Sequence, residues 1–242
     1  KNVAPEWASV AWDPDRAYDR GIEDNHSFVH ECMLLFGTPP DIVEQALATR
    51  SIYADYIDQA HIANEIQDAQ EIAGLTAYWV PGHSASDIVF HDPRRAVAFT
   101  GDHLLNRITP NPIMRREFRG TRRAKSLLEF ENSLQRTRSL DIETCYPGHG
   151  VPFGDHRAVV DNLMRRHERR TEQVRSLLEK GPATPYQLTL ALFPKKKLDV
   201  QWLHLAVSAA IGHLDILEKR GVATSYTKNG TVYYTLIERG EN

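Results

Sequence analysis

Three short segments of this 242-residue sequence share one design: Pro81-Gly82-His83-Ser84, Gly101-Asp102-His103 and Pro147-Gly148-His149-Gly150. Each follows a β-like run and carries a side chain that can ligate a metal. A ligand on the turn after a strand is aimed by a rigid sheet, and glycine lets backbone and metal approach closely. Histidine and aspartate suit zinc, and also iron or manganese, and a carboxylate can bridge two ions. Two ions roughly 3.5–4 Å apart can share one hydroxide as nucleophile and polarise a carbonyl or phosphoryl oxygen. Singly, each segment has an ordinary reading, because Gly-His pairs are common in turns and an Asp after Gly usually shapes one. Their joint occurrence in this order favours a metal centre.

Other titratable groups carry less. His26 and His30 lie four apart on an expected helix, but no Glu follows His26, so the zincin pattern is absent. Beside Asp24 and Glu31 they read as solvated histidines. His61 and His91 occupy loop and strand-end positions expected to be exposed, and His167 reads as part of a salt-bridged helix surface. His204 and His213 fall on a patterned helix as packing residues. Cys145, in a strand, and Cys32, on an apolar helix face, read as buried inert thiols. No Gly-rich phosphate loop or nucleophile elbow occurs.

The elements that would position the three segments alternate in period. Helices are expected over 24–36, stopped by Gly37, and from Pro39-Pro40-Asp41 to Leu47. Residues 51–70 read as irregular or as a helical loop. Strands follow at 75–80, 87–91 and 96–100, a helix at 122–139 and a strand at 144–146, an α/β arrangement. From about Asp155 the composition shifts to a long charged helix (157–180), a short helix (185–193) and an apolar helix (200–220). An Asn229-Gly230 hairpin closes the pattern. Three helices and a hairpin make an α+β winged helix. The expected domains are therefore 1–155 and 156–242.

The three segments resemble the third, fourth and fifth motifs of the metallo-β-lactamase superfamily. Phe36-Gly37-Thr38-Pro39, Leu104-Leu105 before Ile108-Thr109-Pro110, and His167-Glu168-Arg169-Arg170 resemble one branch of it. That branch, with a C-terminal winged helix, includes beta-lactamase-like protein 2 and glyoxalase-II-like hydrolases. The resemblance implies an αββα sandwich of which residues 1–155 form the C-terminal part. It implies two divalent metal ions, zinc or else iron or manganese. His83 would bind the first, Asp102 would bridge both as the central catalytic ligand, and His149 would bind the second. Ser84 and His103 would support the ligands by hydrogen bonds. A metal-held hydroxide would then attack a thioester, ester, lactone or phosphodiester, and some relatives act on RNA.

The superfamily's motif of two histidines one residue apart, followed by Asp-His, does not occur in this sequence. Three protein ligands shared by two ions are too few for a closed site, so weak metal binding or none is expected of the chain as written. The remaining sheet would come from an upstream part or a second copy. Without it, apolar strand faces near Val80 and Val97 would be exposed, and a stable soluble fragment is not expected.

Composition narrows the partners. The formal charge of −3 does not advertise nucleic-acid binding, so any such contact needs a local patch. The helix at 200–220 lacks the outward Arg, Lys, Asn and Gln of a recognition helix, and packing is the favoured role. No stretch reads as a membrane span of ~20 apolar residues, and two scattered cysteines suit a reducing cytoplasm. Arg107, Arg115, Arg116, Arg119, Arg122 and Arg123 crowd one loop and favour an anionic, acyl-type small-molecule substrate.

Overall fold

Strands β1 (Gln70–Ile72) and β2 (Leu75–Trp79) form a hairpin closed by Ala73 and Gly74, at φ 52° and 82°. Two successive positive φ values are what a type I′ turn requires. Sequence reading misses β1 because alanine at the first turn position is not a turn signal. The computed structural model describes residues 17–48, 66–117, 121–193 and 199–238. The expected irregular segment 51–70 falls mostly outside them.

Strands β3 (Ile88–Asp92), β4 (Val97–Gly101) and β5 (Thr144–Pro147) complete a five-stranded sheet of order β1-β2-β3-β4-β5. The first three pairings are antiparallel and β4–β5 is parallel. Helix α3 (Ser126–Arg138) is the crossover between β4 and β5. It begins later than expected, at Ser126 rather than Arg122.

The register separates two sheet faces. Thr76, His91, Ala98 and Cys145 align on one; Ala77, Phe90, Phe99 and Tyr146 align on the other. The first face meets α3, whose Arg136 lies 4.8 Å over the Tyr78 ring and also binds Asp68 and the Trp79 carbonyl. His91, expected at the surface, is buried here and donates to the Asp141 carbonyl at 2.8 Å. Side-chain alternation puts it with Val89 on the helix side. The same alternation corrects the expectation for Val80, which follows Thr76 and Tyr78 inward and is fully buried. Val97 is half-buried, and the apolar exposure falls instead on the stacked pair Phe99 and Tyr146, with 47% and 41% of their surface open.

Contacts divide the chain into two units, residues 1–21 with 59–166, and 22–58 with 167–242. The division falls after Arg166, inside the continuous helix α4 (His156–Leu178). Helices α1 (Ala17–Leu35) and α2 (Pro40–Ala48) belong mostly to the second unit, where the Phe36 carbonyl accepts from Tyr186 N at 3.1 Å. Helix α5 (Pro185–Leu192) opens with Pro185 behind a Thr184–Gln187 capping box, each side chain bonded to the other's backbone N–H. A 3-10 turn (Val200–Trp202) leads into α6 (Leu203–Lys219), then the hairpin β6 (Ala223–Lys228) and β7 (Thr231–Leu236) turns at Asn229-Gly230 as expected. Val200–Lys219 is long and apolar enough to cross a membrane, but most of it is buried, from Leu203 to Leu217, as a core helix requires.

His213 on α6 shows how tightly this second core is closed. Its Nδ1 and the Thr171 hydroxyl are 2.9 Å apart, and the His167 ring sits edge-on at 6.2 Å. His167 is thus buried rather than on a salt-bridged surface; its neighbour Glu168 makes the surface pair, with Arg220. Burial, followed by the neighbouring His167 and Arg170, pushes the His213 pKa down to about 3. An unfolded histidine titrates near ~6.5, so between these values the unfolded chain holds the extra proton. The stability from neutral His213 is complete above that upper value and lost as pH falls through the window. Urea denaturation is expected to show lower stability at pH 5 than at pH 7. His213→Gln, which keeps a polar group but cannot charge, should flatten that dependence by up to about 1.4 kcal/mol per pH unit. An unchanged slope would show that His213 does not titrate on unfolding.

Candidate metal centre

β3 runs antiparallel to both β2 and β4, and β4 is parallel to β5. Consequently β2, β4 and β5 all point the same way. Their C-terminal ends deliver His83, Asp102 and His149 to one edge of the sheet.

The His83 turn is held from four sides. The Ser133 hydroxyl donates to the Pro81 carbonyl at 2.7 Å, and Gly82 lies against Phe130 of α3. Ile113 N donates to the His83 carbonyl at 3.2 Å. His83 Nδ1 donates to the Asn111 carbonyl at 2.9 Å, which directs Nε2 toward Asp102. A ring N–H fixed on a backbone carbonyl is a common way to orient a metal-binding imidazole.

Asp102 follows a break in the β4–β5 register between Phe99 and Gly101, with Gly101 at φ 51°. Such irregularities re-aim the next side chain. Gly148 N donates to the Gly101 carbonyl at 2.8 Å, tying the Asp102 and His149 turns together. His149 Nε2 lies 3.4 Å and His83 Nε2 3.9 Å from the same oxygen, Asp102 Oδ2. The other oxygen, Oδ1, is buried without a hydrogen-bond partner among the described residues.

These features suit a divalent metal. Two donors on one zinc, each ~2.1 Å from it in tetrahedral geometry, lie about 3.4 Å apart. A neutral His83 turns its Nε2 lone pair toward the lone pairs of a carboxylate, and two acceptors facing each other need a cation or proton between them. A buried carboxylate oxygen without a donor is likewise costly unless positive charge is near. Among the described residues, however, no group of three His, Cys, Asp or Glu side chains closes on one point. Each histidine approaches Asp102 separately. The donor types and directions fit a metal; among the described residues their number is short of a complete cage.

The two expected supporting residues are placed differently from the ligands. The Ser84 hydroxyl donates to Asp87 Oδ1 at 2.6 Å and its backbone N–H to Asp87 Oδ2 at 2.8 Å. Ser84 therefore shapes the turn. His103 is fully buried on the α3 side, bonded to the Thr137 hydroxyl at 2.8 Å and edge-on to Phe130. Burial, and secondarily the neighbouring His83, pushes its pKa down to about 3, so it is neutral. Sequence reading missed Asp87, Asn111 and Ser133. Ser84-x-x-Asp87 has the spacing of a Ser/Thr–acid capping pair and was findable. Asn111 acts through its carbonyl and Ser133 from a distant helix, and neither leaves a local signal.

The remaining candidates lie elsewhere. His30 pairs with Glu44 at 3.0 Å on the exterior of the second unit, and His61 lies outside the described residues. Cys32 and Cys145 are buried, and burial raises the Cys145 thiol to about 12, which leaves it inert at neutral pH. Of the loop arginines, Arg115 is bound to Glu129 and Arg122 to Glu117, while Arg119 lies outside the described residues.

Residues 51–149, which contain all three candidate ligands, match the family model of the metallo-beta-lactamase superfamily. Over these residues the chain is similar to the metallo-beta-lactamase superfamily. A Bacillus subtilis protein named as a probable metallo-hydrolase is 32% identical over 215 residues, covering 88% of this chain and 66% of its own length. An atrochrysone carboxyl ACP thioesterase of Aspergillus fumigatus is 29% identical over 142 residues, covering 54% of this chain and 41% of the thioesterase. The fold of a metallo-beta-lactamase family protein from Thermus thermophilus superposes with a TM-score of 0.67 at 25% identity, over 96% of this chain and 67% of that one. A beta-lactamase domain protein from Burkholderia ambifaria gives a TM-score of 0.72 at 24% identity, over 85% and 60% of the two chains. The chain spans about two thirds or less of each of these relatives.

Proposed function

We propose that this chain contributes His83, Asp102 and His149 to the metal centre of a hydrolase acting on an acyl thioester or related ester. The observation that carries the reading is the convergence of both imidazole Nε2 atoms on Asp102 Oδ2, beside a buried Oδ1 with no donor. His83 and His149 would hold one ion each, and Asp102 would stand between the two ions. A bound divalent ion, zinc or alternatively iron or manganese, supplies Lewis acidity and lowers the pKa of a nucleophilic water. The chain's own residues do the positioning. Asn111 fixes the His83 tautomer, Gly148 lets Asp102 settle between the histidines, and the Ser84–Asp87 clamp keeps the first turn in shape. The thioester preference is supported by the fungal relative named as a thioesterase.

We read the second unit as a winged helix, with α6 as its third helix. Its run of buried residues from Leu203 to Leu217 serves the core, which favours packing over reading RNA or DNA.

The test is elemental analysis with intact mass on one preparation, followed by titration with zinc or cobalt. Metal is expected to bind and to support thioester hydrolysis that a chelator abolishes. Asp102→Asn should weaken binding by roughly a hundredfold while circular dichroism is retained. A folded protein that takes up no metal would overturn the reading.

A further inference from the structure

Most arginines in the loop beside His83 are already committed, as are the sheet and turn residues around them. Arg115 and Arg122 each face a glutamate. Two cations of the first unit differ. Arg107 is exposed and has no hydrogen-bond or ion-pair partner among the described residues. Arg166, exposed on α4, reaches across 57 positions of sequence to donate from Nη1 to the Thr109 hydroxyl at 2.8 Å, with no ion pair to a carboxylate among the described residues. Thr109 stands two residues before Asn111, whose carbonyl holds His83, and Pro110 and Pro112 stiffen the connection. Two residues of extended chain span at most about 7 Å. The Thr109 contact therefore brings the Arg166 guanidinium to the strap that orients the first candidate ligand, with Arg107 two residues further along it.

We infer that Arg107 and Arg166 form an anion subsite that holds a phosphate on the leaving-group arm of a thioester substrate. The inference deepens the hydrolase reading and rests on it for the identity of the arm. Guanidinium groups suit phosphate because their planar N–H fork matches its oxygens. Thr109 presents one of these forks to solvent rather than to a protein acid. Binding energy gathered at such a remote group can be used to orient the acyl carbon at the metal edge.

Binding is tested first on the full chain in chelator, where no metal can hold an anion, with inorganic pyrophosphate as the probe. Arg107→Met/Arg166→Met is expected to weaken pyrophosphate binding roughly tenfold or more, since each charge-assisted hydrogen bond contributes about a factor of ten. Equal binding by the parent and the double variant would overturn the subsite. In the metal-loaded protein, the double variant should raise KM for an acyl-coenzyme A by a similar factor. It should leave the neutral N-acetylcysteamine thioester of the same acyl group unchanged. Equal losses on both substrates would show a general structural effect and also overturn it. Failure of the parent to hydrolyse either thioester would count against the hydrolase reading alone, because the pyrophosphate measurement still decides the subsite.

Discussion

Gly82→Ala is expected to destabilise the protein by at least about 3 kcal/mol, combining overpacking with backbone strain. A Cβ at this position would sit 2.4 Å from the Phe130 Cα and 2.4 Å from its Cβ, with the glycine at φ +151°. Neither partner can yield. Phe130 is fully buried in the middle of α3, and the preceding residue is pinned because Ser133 of the same helix holds the Pro81 carbonyl. The turn would have to lift away from α3 and carry His83 with it. Urea denaturation of the variant should show a lower midpoint with an unchanged m-value. A midpoint within experimental error of the parent would mean that the turn relaxes freely, and the rigid presentation of His83 would have to be abandoned.

The second large effect is expected at Gly148 and should appear in metal affinity more than in stability. An alanine Cβ there would lie 2.6 Å from Asp102 Oδ1 and 3.1 Å from the Gly101 carbonyl carbon. The carboxylate is the movable member, so the substitution should swing Asp102 from its place between the histidines. Weakening of zinc or cobalt binding by 10- to 100-fold is expected, as for loss of a group that orients a ligand, with only about 1–3 kcal/mol of folding stability lost. Competition titration against a chromophoric chelator measures the first quantity, and urea denaturation the second. Gly150→Ala, whose added Cβ meets nothing within 4 Å, reports the cost of backbone strain at φ +93° without touching Asp102. If the two variants lose affinity equally, the contact with Asp102 is not what matters.

Both glycines stand before a histidine in the sequence, and neither reason for them is local. Gly82 is required by a helix more than forty residues later, Gly148 by an aspartate in the turn after another strand. A Pro-Gly-His pattern signals a turn; the close approach that makes glycine necessary exists only once α3 and β4 are in place. The same division runs through the candidate site. His83, Asp102 and His149 were legible because strand periodicity, a glycine and a ligand-type side chain all lie within a few residues. Their meeting at one oxygen was not, because it depends on β3 reversing the chain so that β2, β4 and β5 share a direction.

Sequence by itself determined the alternation of strands and helices, the Asn229-Gly230 hairpin, the buried face of α6 and the three turns that carry His83, Asp102 and His149. These are written in period, turn chemistry and composition, which are local properties. Tertiary structure alone decided which histidines are buried, where the chain divides, and which arginines remain uncommitted. His91, His167 and His213 have polar side chains whose placement depends on distant partners or neighbours: the Asp141 carbonyl for the first, and the packing of α4 against α6 for the other two. The division after Arg166 lies within α4 because a helix is continuous through its backbone hydrogen bonds even when its two halves serve different cores. Burial and pairing are properties of what the chain brings together, and no window of sequence contains them.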